Sequence, residues 1–192
     1  NLYYATQAAK VLGIKPKQEW NKTANAFQFQ YLPNGVTKEY DTYEGQVTKQ
    51  ADVSLLAYPL HIVTDTAQIR KDLEYYIAKV PVKKTPAMSK SIYSVLYARL
   101  GKAENALHYF YDSYLPNLNP PFRVIAEFNG GTNPYFITGA GGTLQSIIFG
   151  FAGMEITDKG LKQVYPPILP DEWKSLSIKV AGKEIVHVDN NK

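Results

Sequence analysis

Apolar residues recur at helical spacing along most of this chain, then switch to alternation near its end. Leu2 to Leu12 reads as a helix closed by Gly13. Pro16 is expected to open the next helix, which runs through Trp20, Ala24 and Phe27. Pro33-Asn34-Gly35 marks a turn, and Val36 to Gln46 is polar and irregular. Val47, Ala51, Leu55 and Leu56 form an apolar face that predicts a third helix over Val47 to Ala57, ended by Pro59. Asp65 is a good N-cap for the helix through Ile69, Leu73, Tyr76 and Ile77. Thr85-Pro86 repeats that logic, with Thr85 as cap and Pro86 at the first helical position. That helix carries Met88, Ile92, Val95 and Leu96 and stops at Gly101. Lys102 to Tyr114 predicts another, with Ala103, Ala106, Leu107 and Phe110 on one side. Gly142 to Gly153 is apolar nearly all round, so a buried helix is expected there.

Beyond that point the period changes to two. Glu155-Ile156-Thr157 and Leu161-Lys162-Gln163-Val164 flank Asp158-Lys159-Gly160, a hairpin signal. Pro166, Pro167 and Pro170 mark a connector. Trp173 to Val180 and Glu184 to Val188 predict a second hairpin across Ala181-Gly182-Lys183. The expected fold class is therefore mainly α: about six helices in paired arrangement, followed by a small β element. No repeat near 34 residues is visible, which argues against a tetratricopeptide array.

Composition narrows the function classes. The 192 residues suffice for one ordinary core. The net charge of +4 comes with scattered lysines and no basic stripe, so nucleic-acid binding is disfavoured. With no Cys, disulfides and thiolate metal sites are excluded. No apolar run approaches the roughly 20 residues of a spanning helix. His61, His108 and His187 lack a metal-ligand spacing, and no phosphate loop, dinucleotide unit or nucleophile elbow is present. No cofactor is expected. The 15 Tyr suit sugar binding, with an apolar face and a polar tip, and equally suit packing at half-exposed helix surfaces. The chain opens on Asn1-Leu2-Tyr3-Tyr4, with neither an initiator Met nor a signal pattern, so it is expected to be part of a longer polypeptide.

The candidate chemistry lies in the string Arg123-Val124-Ile125-Ala126-Glu127-Phe128-Asn129-Gly130-Gly131-Thr132-Asn133-Pro134-Tyr135-Phe136-Ile137-Thr138-Gly139-Ala140-Gly141-Gly142-Thr143-Leu144-Gln145. It reads as a long glycine-rich loop, and such loops more often carry function than packing. Glu127 follows an apolar stretch that fixes its backbone. By its chemistry alone it is either a general base or a surface Glu in a solvated ion pair. Lys49-Gln50 combines a charged donor with a group that both donates and accepts, which matches vicinal hydroxyls. Lys49 also reads as an ordinary snorkelling surface lysine.

That string, with Lys49-Gln50-Ala51-Asp52 and Thr85-Pro86-Ala87-Met88-Ser89, resembles the C-terminal half of the catalytic domain of glycoside hydrolase family 65. Within the family it is most similar to the bacterial kojibiose-type α-glucosidases. The resemblance runs from about Leu2 to Val180. It implies the second half of an (α/α)6 barrel over 1–154 and a β-rich element over 155–192. It implies an inverting hydrolysis of α-linked glucosyl disaccharides, with Glu127 as the base that activates water. Lys49 and Gln50 would contact hydroxyls of the glucose in the −1 subsite; Asp52 reads as structural, orienting Lys49 or capping the helix. The general acid would lie upstream, so the chain by itself is expected not to turn substrate over at a normal rate. Family phosphorylases carry a phosphate-binding His near the Gly-Gly-Thr run. Here that segment reads Tyr135 to Thr143 without a His, which favours water over phosphate as acceptor, although Thr138, Thr143 and the glycine amides remain a candidate anion nest. Tyr40, Tyr43, Glu44 and Phe128 are candidate cleft residues. A homodimer and a periplasmic or secreted location fit by analogy. A non-catalytic helical interaction module is the alternative, disfavoured by the long loop with its single carboxylate.

Overall fold

A computed structural model of the protein describes residues 1–50, 52–81, 84–133, 135–180 and 182–190. The chain forms two compact units, Asn1–Thr42 and Tyr43–Lys192. The architecture is mainly helical with small two-stranded antiparallel sheets. Among the described residues no helix is long and apolar enough to cross a membrane.

The first unit holds α1 (Leu2–Val11) and α2 (Gln18–Ala26). Gly13 ends α1 as expected. Its φ of 67° lets its N–H reach the Lys10 carbonyl at 3.1 Å, while the Ile14 N–H reaches Ala9 at 2.8 Å. This pair of bonds satisfies carbonyls that a helix end otherwise leaves orphaned. Lys17 is the N-cap of α2, so Pro16 lies outside the helix rather than at its first position. The Pro33-Asn34-Gly35 turn forms, with the Gly35 N–H on the Leu32 carbonyl at 2.8 Å.

The second unit is built around α3 (Thr66–Ile77), α4 (Ala87–Arg99), α5 (Ala103–Asp112) and α6 (Ile137–Gln145). The Asp65 carboxylate caps α3, accepting from the Gln68 N–H at 2.7 Å. Gly101 closes α4 with the same two-bond motif as Gly13, its N–H on Ala98 and that of Lys102 on Tyr97. α4 is the central element and packs on α5, α6 and the segment that continues α6. Its Tyr93, Val95, Leu96 and Ala98 join Leu73, Ala106, Leu107, Phe110 and Phe151 in one buried cluster.

Three further expectations are corrected. Thr85 does not cap α4: Pro86 is the N-cap, and the Thr85 hydroxyl donates to the Pro81 carbonyl at 2.7 Å. The helix expected over Val47 to Ala57 is only a 3-10 turn at Val53–Leu56, preceded by bends. Val47 is 72% exposed, the Thr48 N–H is taken by the Lys79 carbonyl at 3.2 Å, and Ala51 lies outside the described residues. Finally, the buried helix starts five residues before Gly142, at Ile137, and continues from Ser146 to Phe151 as a π-helical segment.

The strands follow. β1 (Leu118–Asn119) and β2 (Val124–Ile125) form a short pair that the hydrophobic pattern did not reveal. β3 (Met154–Thr157) pairs with β4 (Gly160–Gln163), turning at Gly160 with φ 87°. β5 (Ser175–Val180) pairs with β6 (Lys183–Asp189); Ala181 of the expected turn lies outside the described residues. Ala152, Met154 and Val186 make a second small core beneath these hairpins.

Candidate active site

Glu127 leaves β2 one residue after Ala126, whose N–H donates to the Asn117 carbonyl at 2.8 Å. Its own carbonyl accepts the Ala87 N–H at 2.8 Å, at the first turn of α4. The backbone of Glu127 is therefore fixed on both sides by elements of the core. Helix N-termini carry unsatisfied N–H groups, and here one of them holds the loop. The side chain is 22% exposed. Asn133 grips it twice: its amide donates to Glu127 Oε2 at 3.2 Å, and its Oδ1 accepts the Glu127 N–H at 3.4 Å. Lys49 Nζ stands 3.6 Å from Glu127 Oε1. The lysine is 63% exposed, so this pair contributes little to stability.

Two sequence-distant candidates are thus brought together, Lys49 and Glu127. Gln50, the residue after Lys49, lines an open pocket of about 270 Å³ whose lining includes neither Lys49 nor Glu127. The pocket is also lined by Asp52, Tyr58, Met88 and Thr138. Lys49-Gln50 sits in bends ahead of the 3-10 turn, not at a helix start. At the pocket wall the Tyr58 hydroxyl donates to Gln145 Oε1 at 2.6 Å. Burial pushes the Tyr58 phenol well above its ordinary range, so it stays a donor. Its ring lies on the Arg99 guanidinium, 4.6 Å from the ring centroid.

Other candidates fall elsewhere. Tyr43 is fully buried; its hydroxyl donates to the Gln46 carbonyl at 2.9 Å and its ring packs on Tyr76, so it is a core residue rather than a cleft residue. Tyr40 is 48% exposed and belongs to the first unit, while Phe128 is half-buried beside Glu127. The glycine amides do not form an open nest. Gly139 to Gly142 are helical, and the N–H groups of Gly139 and Ala140 donate to the Phe136 carbonyl. Thr143 Oγ1 donates to the Gly139 carbonyl at 3.0 Å and lies 3.1 Å from Ser113 Oγ. Pro134 of the loop lies outside the described residues.

Glu127 lies between two non-glycine residues in left-handed conformations, Arg123 (φ 53°) and Tyr135 (φ 61°). Bulky residues adopt that region only where surroundings impose it, and such strain collects at functional sites. Sequence reasoning missed Asn133 as a partner of Glu127 and missed the Tyr58–Gln145 wall. Asn133 stood in the loop string, six residues from Glu127, and nothing in the string distinguished it from Asn129.

Comparisons with known proteins bear on this geometry. Residues 11–123 match the model of the glycosyl hydrolase family 65 central catalytic domain. A kojibiose hydrolase of Mucilaginibacter mallensis is 53% identical over 96% of this chain and 27% of its own length. A kojibiose hydrolase of Flavobacterium johnsoniae is 52% identical over the same shares. A protein-glucosylgalactosylhydroxylysine glucosidase of Dictyostelium discoideum is 36% identical over 85% of this chain and 23% of its own length. The chain thus spans about a quarter of the length of these curated relatives. Among solved structures, one from human microbiome described as a putative kojibiose phosphorylase shares the fold, with a TM-score of 0.55 at 20% identity over 74% of this chain and 19% of that one.

Proposed function

The chain belongs to glycoside hydrolase family 65, and from that membership we propose that it is part of an inverting glycosidase acting on α-linked glucosyl disaccharides such as kojibiose. Glu127 is the general base. One observation carries the reading: the Glu127 carboxylate is held by Asn133, its backbone by Ala87, and it faces Lys49, whose chain neighbour Gln50 lines a pocket. In an inverting enzyme a carboxylate removes a proton from water on one face of the sugar. A second carboxyl group, roughly 6.5–9.5 Å away, protonates the leaving oxygen. Asn133 occupies one oxygen of Glu127, leaving Oε1, on the Lys49 side, for the water.

Lys49 and Gln50 hold the glucose unit through its hydroxyls, the ammonium donating and the amide donating and accepting. The general acid lies in a part of the polypeptide outside these 192 residues, which complete the second half of an (α/α)6 barrel. The relatives, about three and a half times as long, are consistent with that division. Water rather than phosphate is the acceptor, because a carboxylate at this position repels an anionic nucleophile and because Gly139 and Ala140 have their amides engaged.

The test uses the complete polypeptide that contains this chain. Kojibiose is supplied with and without phosphate to wild type and to Glu127→Gln, and glucose is measured against glucose 1-phosphate. Glucose formed without phosphate, and lost in Glu127→Gln, is the expected result. Glucose 1-phosphate as the main product would overturn it in favour of a phosphorylase.

A further inference from the structure

Away from Glu127, a second cavity of about 180 Å³ opens between α3, α4 and α5. Its polar centre is an ion pair, Lys90 Nζ to Asp112 Oδ2 at 2.9 Å. The Lys90 side chain is only 7% exposed, whereas Asp112 is 33% exposed. Burying a lysine is costly, and replacing a buried pair by apolar residues is often neutral or stabilising. Stability alone therefore gives little reason for this pair to line a cavity. Among the described residues Asp112 is the one polar partner of the Lys90 ammonium. An ammonium has three N–H donors, so two remain for whatever occupies the cavity. Asp112 keeps its second oxygen as an acceptor.

The walls fit one class of occupant. Tyr109 and His108 line the cavity. Tyr109 is clamped: its ring stacks on Tyr97 at 5.5 Å and nearly parallel, meets Tyr93 edge-on at 5.5 Å, and meets His108 edge-on at 4.9 Å. Ile77 and Val80 supply apolar surface opposite. A free anion is disfavoured, because Asp112 cancels the lysine charge and repels a phosphate or carboxylate. A cation meets Lys90. What remains is a small neutral ligand rich in hydroxyls, each able to accept from Lys90 and donate to Asp112 while its C–H face rests on aromatic and aliphatic carbon.

We infer that the Lys90–Asp112 cavity is a second sugar-binding site, sized for a single pyranose unit and separate from the Glu127 site. The inference does not depend on the catalytic reading. The test is saturation-transfer NMR with glucose on the complete polypeptide, in a Lys49→Ala/Gln50→Ala background that weakens the first site. A glucose signal is expected to persist there. Lys90→Met and Asp112→Asn are each expected to weaken it about tenfold or more in Kd, the effect of losing a hydrogen bond to a charged group. Should Lys90→Met fail to fold, Asp112→Asn, which is isosteric and partly exposed, still decides. A folded variant that binds glucose as the parent does, or displacement of the glucose by inorganic phosphate at this cavity, would overturn the proposal. If the catalytic reading alone were wrong, kojibiose would go uncleaved while this glucose signal and its Lys90 dependence remained.

Discussion

The glycine-rich string around Glu127 divides into two regions that use glycine for opposite reasons. Gly130 and Gly131 lie in a true loop. Gly130 has φ 77° and open space around it, so it supplies a backbone conformation. Gly139 and Gly142 lie in α6 and supply closeness. A Cβ at Gly139 would stand 2.9 Å from the Ala87 Cβ, and one at Gly142 2.8 Å from Ser91 Oγ. Farther along, a Cβ at Gly150 would stand 3.2 Å from the Val95 Cα. Ser146 Oγ completes the seam by donating to the Ser91 carbonyl at 3.3 Å. Glycine inside a helix costs about 1 kcal/mol relative to Ala. Close packing on α4 offsets that cost and brings the first turns of both helices to the Glu127 loop. One residue type therefore shapes the site twice, by bending the loop and by letting its two supports meet.

The comparison predicts different failures in the two regions. The largest effect is expected at the loop carboxylate: Glu127→Gln should lower kcat of the complete enzyme by about 10² to 10⁴, the usual weight of a general base. Its melting temperature should stay close to wild type, because the backbone bonds to Ala87 and Asn133 survive the change. A matching loss of stability would show that the carboxylate is structural. On the helical side, Gly139→Ala should behave in reverse. The added methyl meets Ala87, Phe136 and Ile125, and overpacking of this kind costs about 1–3 kcal/mol. For a domain of this size that is a fall of about 2–4 °C in Tm per kcal/mol. Unchanged melting would mean that α6 sits farther from α4 than it does here.

A smaller effect belongs to Asn133→Ala. The amide is one of two groups fixing the carboxylate, and its bond at 3.2 Å is exposed. About tenfold in kcat is expected, the effect of one hydrogen bond to a charged group, with KM nearly unchanged because Lys49 and Gln50 remain. A rise in KM with constant kcat would place Asn133 on the substrate instead.

What the sequence made legible follows the same division. Elements with local punctuation were readable. Asp65 before α3, Gly13 and Gly101 after α1 and α4, and Gly160 at the start of β4 all act through bonds to residues a few positions away. The start of α6 was not readable, because five residues of Gly, Ala and Thr ahead of Thr143 look like a loop until α4 lies against them. The turn at Val53–Leu56 was misread for the converse reason. The apolar spacing from Val47 to Leu56 is helical, but the Thr48 N–H donates to the Lys79 carbonyl, and Val47, Thr48, Val53 and Ser54 are weak helix formers. At the candidate site, Glu127, Lys49 and Gln50 were proposed through their family resemblance, and the fold brings Lys49 to Glu127. Asn133 and Tyr58 were not, because the contacts that make them matter, six and 87 positions away, are set only by the fold.

The smallest prediction separates the two uses of glycine most cleanly, because it has the opposite sign. Gly141 lies in α6 with nothing within 4 Å of where a Cβ would stand, and its φ is outside the left-handed range. It serves neither closeness nor bending. Gly141→Ala should therefore stabilise the protein by about 0.5–1 kcal/mol, the helix propensity gained. Gly130→Ala meets equally open space but must hold φ 77°, so it should destabilise by about 1 kcal/mol through backbone strain alone. Thermal melts of the two variants beside wild type provide the check. If both fall, α6 needs glycine along its whole first half, and space rather than conformation ceases to explain it. If both rise, the loop relaxes freely at Gly130, and the left-handed residues bracketing Glu127 are not held there by a rigid turn.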